Sequence, residues 1–243
     1  MTLKCRTCPL RRRDCFVPMA EAEVAAMERF KTGELTVDGR SSILMEGSNS
    51  PQLFTVLEGQ GLRYKTLPDG RRQVISFVFP GDFIGLQAGV MAEMRHSVES
   101  STRMRLCVFE RANLWSFFRD NPERAFDLTW LSAVEEHFLG ENVLTLGQRS
   151  AAERIAWAFL RIWERLEGLG LRTNGSVPFP HRQQDLADAL GLSLVHTNKT
   201  LAKLRREQIA GWSDGRLAVL DTARLAELAQ AEEGEGIQRR PLL

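Results

Sequence analysis

With 243 residues, 43% of them hydrophobic and 26% charged, the chain has an ordinary globular make-up, which excludes a disordered, collagenous or low-complexity protein. Its 32 basic and 31 acidic residues leave a net charge of +1, so bulk charge assigns no partner. No apolar run reaches the ~18–20 residues of a membrane span, and Met1-Thr2-Leu3-Lys4-Cys5-Arg6 is no secretory leader, so a cytoplasmic protein without a membrane partner is expected.

Residues 1–18 form a cysteine-rich segment. Cys5, Cys8 and Cys15 follow a C-x2-C-x6-C pattern, and Cys107 is the fourth cysteine of the chain. In a reducing compartment such clustering favours a metal site or redox chemistry over disulfides. Half-buried thiols without a ligand are the plain alternative. Lys4, Arg6, Arg11, Arg12 and Arg13 face the single acid Asp14 here. Residues 19–31, rich in Ala and Glu, predict a short helix that Gly33 stops.

From 34 to 111 the apolar residues alternate in short runs, as in Leu53-Phe54-Thr55-Val56-Leu57 and Gln73-Val74-Ile75-Ser76-Phe77-Val78-Phe79. Glycines and Pro80-Gly81-Asp82 separate them. Asp69-Gly70 predicts a type I′ hairpin, in which both central residues need positive φ. Six to eight strands at this spacing imply a barrel, roll or sandwich, with Cys107 on the last strand. A β-roll domain is therefore drawn over 19–120.

A long helix is predicted over 121–147. It carries two adjacent apolar stripes, Leu131-Val134-Phe138 and Leu139-Val143-Leu146. One stripe can pack on the roll and the other on a partner helix, and Leu131, Val134 and Phe138 are assigned to the dimer seam. A second amphipathic helix begins at 148 and opens a domain reaching 230. Residues 231–243 read as a loose tail.

Within that domain, Gln184–Leu190 predicts a short helix, Gly191-Leu192-Ser193 a turn ending in an N-cap serine, and Leu194–Arg206 a second helix. This is a helix-turn-helix, and Trp212–Val219 predicts a hairpin wing. Seven basic against four acidic residues over 171–220 give it the modest positive face of a DNA reader. The start of the second helix should reach base edges in the major groove. Asn198 suits adenine, Lys199 suits guanine, Val195 a thymine methyl, and Ser193, His196, Lys203 and Arg206 bases or phosphates. The histidines His96, His137, His181 and His196 lie in separate elements, and neither a P-loop nor G-x-G-x-x-G occurs, so an enzyme is not expected.

Taken together, the cysteine segment, the roll with Pro80-Gly81-Asp82-Phe83-Ile84-Gly85, the long helix and Asp185-Leu186-Ala187-Asp188-Ala189-Leu190-Gly191-Leu192-Ser193-Leu194-Val195-His196-Thr197-Asn198 resemble the Crp/Fnr family of bacterial transcription regulators. The resemblance implies an α+β fold. An N-terminal, cyclic-nucleotide-binding-like jelly roll leads through a dimerisation helix to a C-terminal winged helix-turn-helix. It implies a homodimer on a near-palindromic operator in double-stranded DNA, working with RNA polymerase. Family members that bind cyclic AMP carry a Glu after the roll's glycine and an Arg-Ser pair. Here Gly85 precedes Leu86-Gln87 and Arg95 is separated from Ser97 by His96, which disfavours that ligand. The Fnr-type branch senses oxygen with a [4Fe–4S] cluster, to which Cys5, Cys8, Cys15 and Cys107 correspond in place. Zinc, a thiol redox pair, an unknown small ligand or no effector are the alternatives.

Overall fold

The computed structural model describes residues 3–231 and 239–243. They fall into two compact units. The first holds the chain up to Arg71, Ile75–Glu135 and Arg239–Leu243; the second holds Arg72–Val74 and Glu136–Gln238.

In the first unit, α1 spans Glu21–Phe30. Its first-turn Glu23 accepts the Ala20 backbone N–H at 2.6 Å, and Val24, Ala26, Met27 and Phe30 form the buried side. Lys31 begins β1 directly, so Gly33 lies inside a strand and does not stop the helix. Eight strands follow: β1 Lys31–Val37, β2 Ser42–Leu44, β3 Gln52–Glu58, β4 Gly61–Thr66, β5 Arg72–Val78, β6 Phe83–Ile84, β7 Ser97–Ser100 and β8 Met104–Glu110. They make two four-stranded sheets, ordered β1-β8-β3-β6 and β2-β7-β4-β5. The side chains of Leu44, Phe54, Val56, Val78, Val98, Met104, Leu106 and Val108 share the core of the roll. The period of two therefore turns Arg105, Cys107 and Phe109 of β8 to the opposite face of their sheet. Phe109 is covered there by Phe30, whose ring stacks on it at 4.9 Å and on Phe117 at 4.1 Å.

The Asp69-Gly70 turn departs from expectation. Only Gly70 has a positive φ (+86°), and Leu67 donates its N–H to the Arg71 carbonyl across a longer loop. Asp69 instead accepts the Arg71 N–H through its carboxylate at 3.0 Å, which ties the loop locally. The two-residue turn with both φ positive occurs in the wing, at Asp214 (+52°) and Gly215 (+70°), closed by the Ser213–Arg216 pair.

Short helices α2 Leu86–Met91 and α3 Leu114–Asp120 flank the roll. The long helix α4 spans Pro122–Gln148 and contributes to both units. The units divide at residue 135/136, inside α4, because its C-terminal half packs with the second unit: the Phe138 ring stacks on Trp157 at 6.0 Å.

The second unit is built on α5, Ala151–Gly168, which buries Ile155, Phe159, Leu160, Ile162, Trp163 and Leu166. β9 Val177–Pro178, α6 Gln183–Leu190, α7 Leu194–Arg206, β10 Ala210–Ser213, β11 Arg216–Val219 and α8 Thr222–Ala229 complete it.

The expected loose tail is partly seated. Residues 232–238 lie outside the described residues, whereas Leu242 and Leu243 are each only 6% exposed within the first unit. Two consecutive leucines gain more from burial than from solvent, which is why this end of the chain docks.

Candidate nucleic-acid interface and thiol pocket

The helix-turn-helix forms where the sequence places it. Gly191 ends α6 in the left-handed region (φ +60°), and its N–H and that of Leu192 both reach the Ala187 carbonyl. Ser193 caps α7 by accepting the His196 N–H at 3.2 Å. That bond engages the Ser193 hydroxyl with its own helix, so its first task is structural. Thr197, Thr200 and Leu204 form the buried side of α7. Val195, His196, Asn198, Lys199, Lys203 and Arg206 are all exposed.

Lys203 faces Glu207 at 3.9 Å, an exposed pair worth little. Lys199, Arg205 and Arg206 form no ion pair among the described residues. The wing's Arg216 is different: its guanidinium donates to Thr173 and to the Ser176 hydroxyl, which fixes the hairpin. The positive face therefore rests on the α7 residues more than on the wing.

On the first unit, Cys5, Cys8 and Cys107 line one pocket together with Leu10, Arg11, Met19, Met27, Thr55, Leu57, Phe109, Leu242 and Leu243. Folding thus brings Cys107 to the first two N-terminal cysteines. Cys15 is not among the lining residues; its backbone carbonyl accepts the Arg240 N–H at 2.8 Å. Among the described residues, no three His, Cys, Asp or Glu side chains stand close enough together to hold a metal ion.

Cys107 sits in mid-sheet, paired with Glu34 of β1 on one side and Thr55 of β3 on the other. Burial pushes its thiol up to about 12, against the pull of the Lys31 ammonium. Burial also raises Cys5, again opposed by Lys31. Lys31 and Glu34 form a clamp on the N-terminal segment. The Lys31 ammonium donates to the Leu3 carbonyl at 2.6 Å, and Glu34 accepts the Leu3 N–H at 2.7 Å. Sequence reasoning did not find Lys31, Glu34, Thr55 or the terminal leucines. The available signal was the unbroken apolar run Leu106-Cys107-Val108-Phe109, which marks a strand covered on both faces.

Thiolates are the donors a soft metal centre takes, and three of them line this pocket, but their sulfurs do not stand within reach of one metal ion. The space does not suit one as it stands. The free volume between the lining side chains is about 30 Å³, room for roughly two waters.

Of the residues assigned to the dimer seam, Leu131 is buried in its own unit at 6% exposure, and Val134 and Phe138 are half-buried, with Phe138 against Trp157. The first stripe is thus largely used within the chain. Leu139 (46% exposed) and Val143 (71%) of the second stripe are the open ones.

In the region compared with cyclic-AMP readers, Arg95 is exposed and its guanidinium pairs with Glu93 at 2.6 Å. Buried Arg63 donates to Glu135 at 2.8 Å and to the Phe83 carbonyl at 3.1 Å. No described helix is long and apolar enough to cross a membrane.

Comparison with known proteins agrees with this geometry. Residues 34–121 match the cyclic nucleotide-binding domain family, and 153–228 match the Crp-like helix-turn-helix domain. The chain is 32% identical to the nitrogen fixation regulation protein FixK of Bradyrhizobium diazoefficiens over 93% of this chain and 94% of that one. It is 33% identical to the transcriptional activatory protein AadR of Rhodopseudomonas palustris over 79% of each. It is 27% identical to the transcriptional activator protein FnrL of Cereibacter sphaeroides over 96% of this chain and 95% of that one. Among solved structures, FixK2 from Bradyrhizobium japonicum superposes with a TM-score of 0.71 at 25% identity, covering 82% of this chain and 98% of that one. These relatives are regulators, not enzymes.

The helix-turn-helix unit also carries a pH dependence. His181 lies buried against Phe179, ring centroids 4.6 Å apart. Burial pushes it down to about 4 from 6.5, with Asp185 opposing and Arg182 assisting. The folded unit therefore keeps the imidazole neutral while the unfolded chain protonates it, so stability is full above pH 6.5 and falls as pH drops toward 4. His96 of the first unit is pushed down to about 4 by burial as well and acts in the same window. Urea unfolding at about pH 7.5 and about pH 5 checks this: the wild type should lose more stability between the two than His181→Gln does. Equal losses would remove His181 from the account.

Proposed function

The chain belongs to the Crp/Fnr family of transcription regulators, and from that premise we propose that it acts as a homodimer. Each copy presents Val195, His196, Asn198, Lys199, Lys203 and Arg206 to one half of a near-palindromic operator. The observation that carries this reading is the solvent-exposed, positively charged face of α7, set by the Gly191 turn and the Ser193 cap. In a dimer of such units the two recognition helices occupy successive major grooves. The names of AadR and FnrL, both transcriptional activators, favour activation through RNA polymerase.

Affinity measurements on an operator test the DNA face. Asn198→Ala and Lys199→Ala should each weaken specific binding by ~1–3 kcal/mol. Arg206→Ala should weaken all sequences alike and flatten the salt dependence. An operator affinity unaffected by Lys199→Ala would overturn the assigned register.

The pairing surface is the exposed stripe through Leu139 and Val143. In this reading it carries more of the pairing than Leu131, Val134 and Phe138, whose side chains are wholly or partly engaged within the chain. Val143→Asp would place two carboxylates against each other on the two-fold axis, with nothing to neutralise them. Sedimentation should show monomers with DNA affinity reduced; an intact dimer refutes the seam.

The thiol pocket is the regulatory site in this reading. Cys5, Cys8 and Cys107, joined by Cys15, would hold a [4Fe–4S] cluster, whose bound form supplies an oxygen-labile cofactor. The lining of one pocket by Cys5, Cys8 and Cys107 supports it, as does the likeness to FnrL. Cyclic AMP is disfavoured because Leu86-Gln87 follows Gly85 where cyclic-AMP readers carry a Glu, and His96 separates Arg95 from Ser97. Protein purified without oxygen should contain iron and lose it on Cys107→Ala. Iron retained by that variant would exclude Cys107 as a ligand. A colourless, iron-free wild type would leave zinc, thiol redox, a small ligand or no effector as the controlling chemistry.

A further inference from the structure

The C-terminal segment Arg239–Leu243 touches the thiol site at both of its ends. Arg240 forms a parallel bridge with Phe16: its N–H donates to the Cys15 carbonyl at 2.8 Å, and its carbonyl accepts the Val17 N–H at 2.9 Å. The Arg240 guanidinium faces the Asp82 carboxylate at 3.3 Å. Three residues on, the Thr55 hydroxyl donates to the Leu243 carbonyl, beside the Cys107 position of the sheet. Leu242 and Leu243 are both buried, and both line the pocket of Cys5, Cys8 and Cys107.

The seat is shaped for this segment. Phe16 is itself buried, and its ring lies where a Cβ on Gly81 would be, 2.2 Å from that position. The Gly81 turn, with φ at +87°, thus holds the Phe16 strand against which Arg240 pairs. With the segment in place the pocket keeps about 30 Å³ of free space. The eight iron and sulfur atoms of a [4Fe–4S] cluster need more room than the roughly two waters this admits, and the same backbone pairing holds the chain at Cys15 beside the segment, outside the pocket lining.

We propose that Arg239–Leu243 is a plug for the thiol pocket, and that any ligand of the Cys5, Cys8 and Cys107 thiols must expel it. The inference deepens the regulatory reading above and rests on those thiols being a binding site. Loading the pocket and seating the segment are alternative states.

Two measurements decide it. The first uses protein freed of metal, reduced, and treated with N-ethylmaleimide, with the modified cysteines read by mass spectrometry. Removal of 239–243, or the milder Leu242→Ser, should speed labelling of Cys5, Cys8 and Cys107 by about tenfold, with the circular dichroism of the folded chain unchanged. Labelling no faster than in the wild type would overturn the plug. The second uses the full wild-type chain, with and without ferrous iron and sulfide under argon, and follows backbone hydrogen exchange. The paired amides of Val17 and Arg240 should exchange at least about tenfold faster once iron is bound. Bound iron with those amides still protected would also overturn the plug. If no iron is taken up, the cluster reading fails, and the labelling result alone decides the plug.

Discussion

A strand buried on both faces sets the plan of the sensor unit. Met104, Leu106 and Val108 of β8 point into the roll, so Cys107 and Phe109 point out of it and need a second cover. The cover cannot come from the roll. It comes from α1, from the N-terminal turn carrying Cys5 and Cys8, and from the C-terminal leucines. Three stretches far apart in sequence thus meet over one thiol. The N-terminal stretch has too few apolar residues to form a core of its own. It is pinned where Lys31 and Glu34 grip Leu3 and where Phe16 enters the space above Gly81.

The exposed face of α7 and the thiol pocket differ in how they are encoded. The DNA face is local: a glycine that tolerates positive φ, a serine cap and a buried Thr197-Thr200-Leu204 stripe fix which residues of α7 point outward. The contiguous stretch from α6 through α7 therefore specifies it, and its chemistry is legible in the residues alone. The thiol pocket is non-local. The cysteine spacing announces metal or redox chemistry, and the strand assignment places Cys107, but nothing in the spacing shows that Lys31 and Glu34 clamp Leu3 or that Leu242 and Leu243 fill the space.

The same distinction explains which parts of the fold the residue pattern leaves open. The strands, the long helix and the wing follow from periodicity and turn residues. Asp69-Gly70 and Asp214-Gly215 are the same dipeptide, yet only the second forms the tight two-residue turn. Strand register at the wing demands it, with Ser213 paired to Arg216, whereas the Asp69 carboxylate is occupied by its neighbour Arg71. The choice between the two stripes of α4 likewise depends on what packs beside them. Phe138 packs on Trp157, and no pattern within α4 itself contains that information.

The energetics of the C-terminal segment suit a regulatory contact. Burying Leu242 and Leu243 contributes about 1.5–3 kcal/mol each, and its few hydrogen bonds about 0.5–1.5 each. Ordering five residues costs about 1–2 kcal/mol apiece in backbone entropy. Gain and cost are both of the order of 5–10 kcal/mol, so the seated state is held by only a small net difference. Moving a two-state element from almost wholly seated to almost wholly released takes about 5.5 kcal/mol of differential binding. Metal–thiolate bonds made only in the released state would supply that. A segment anchored more strongly, by a longer strand pairing or a larger apolar face, would lock the pocket against its ligand. One anchored more weakly would leave the outward face of Cys107 and Phe109 uncovered, and the hydrophobic demand of β8 would go unmet.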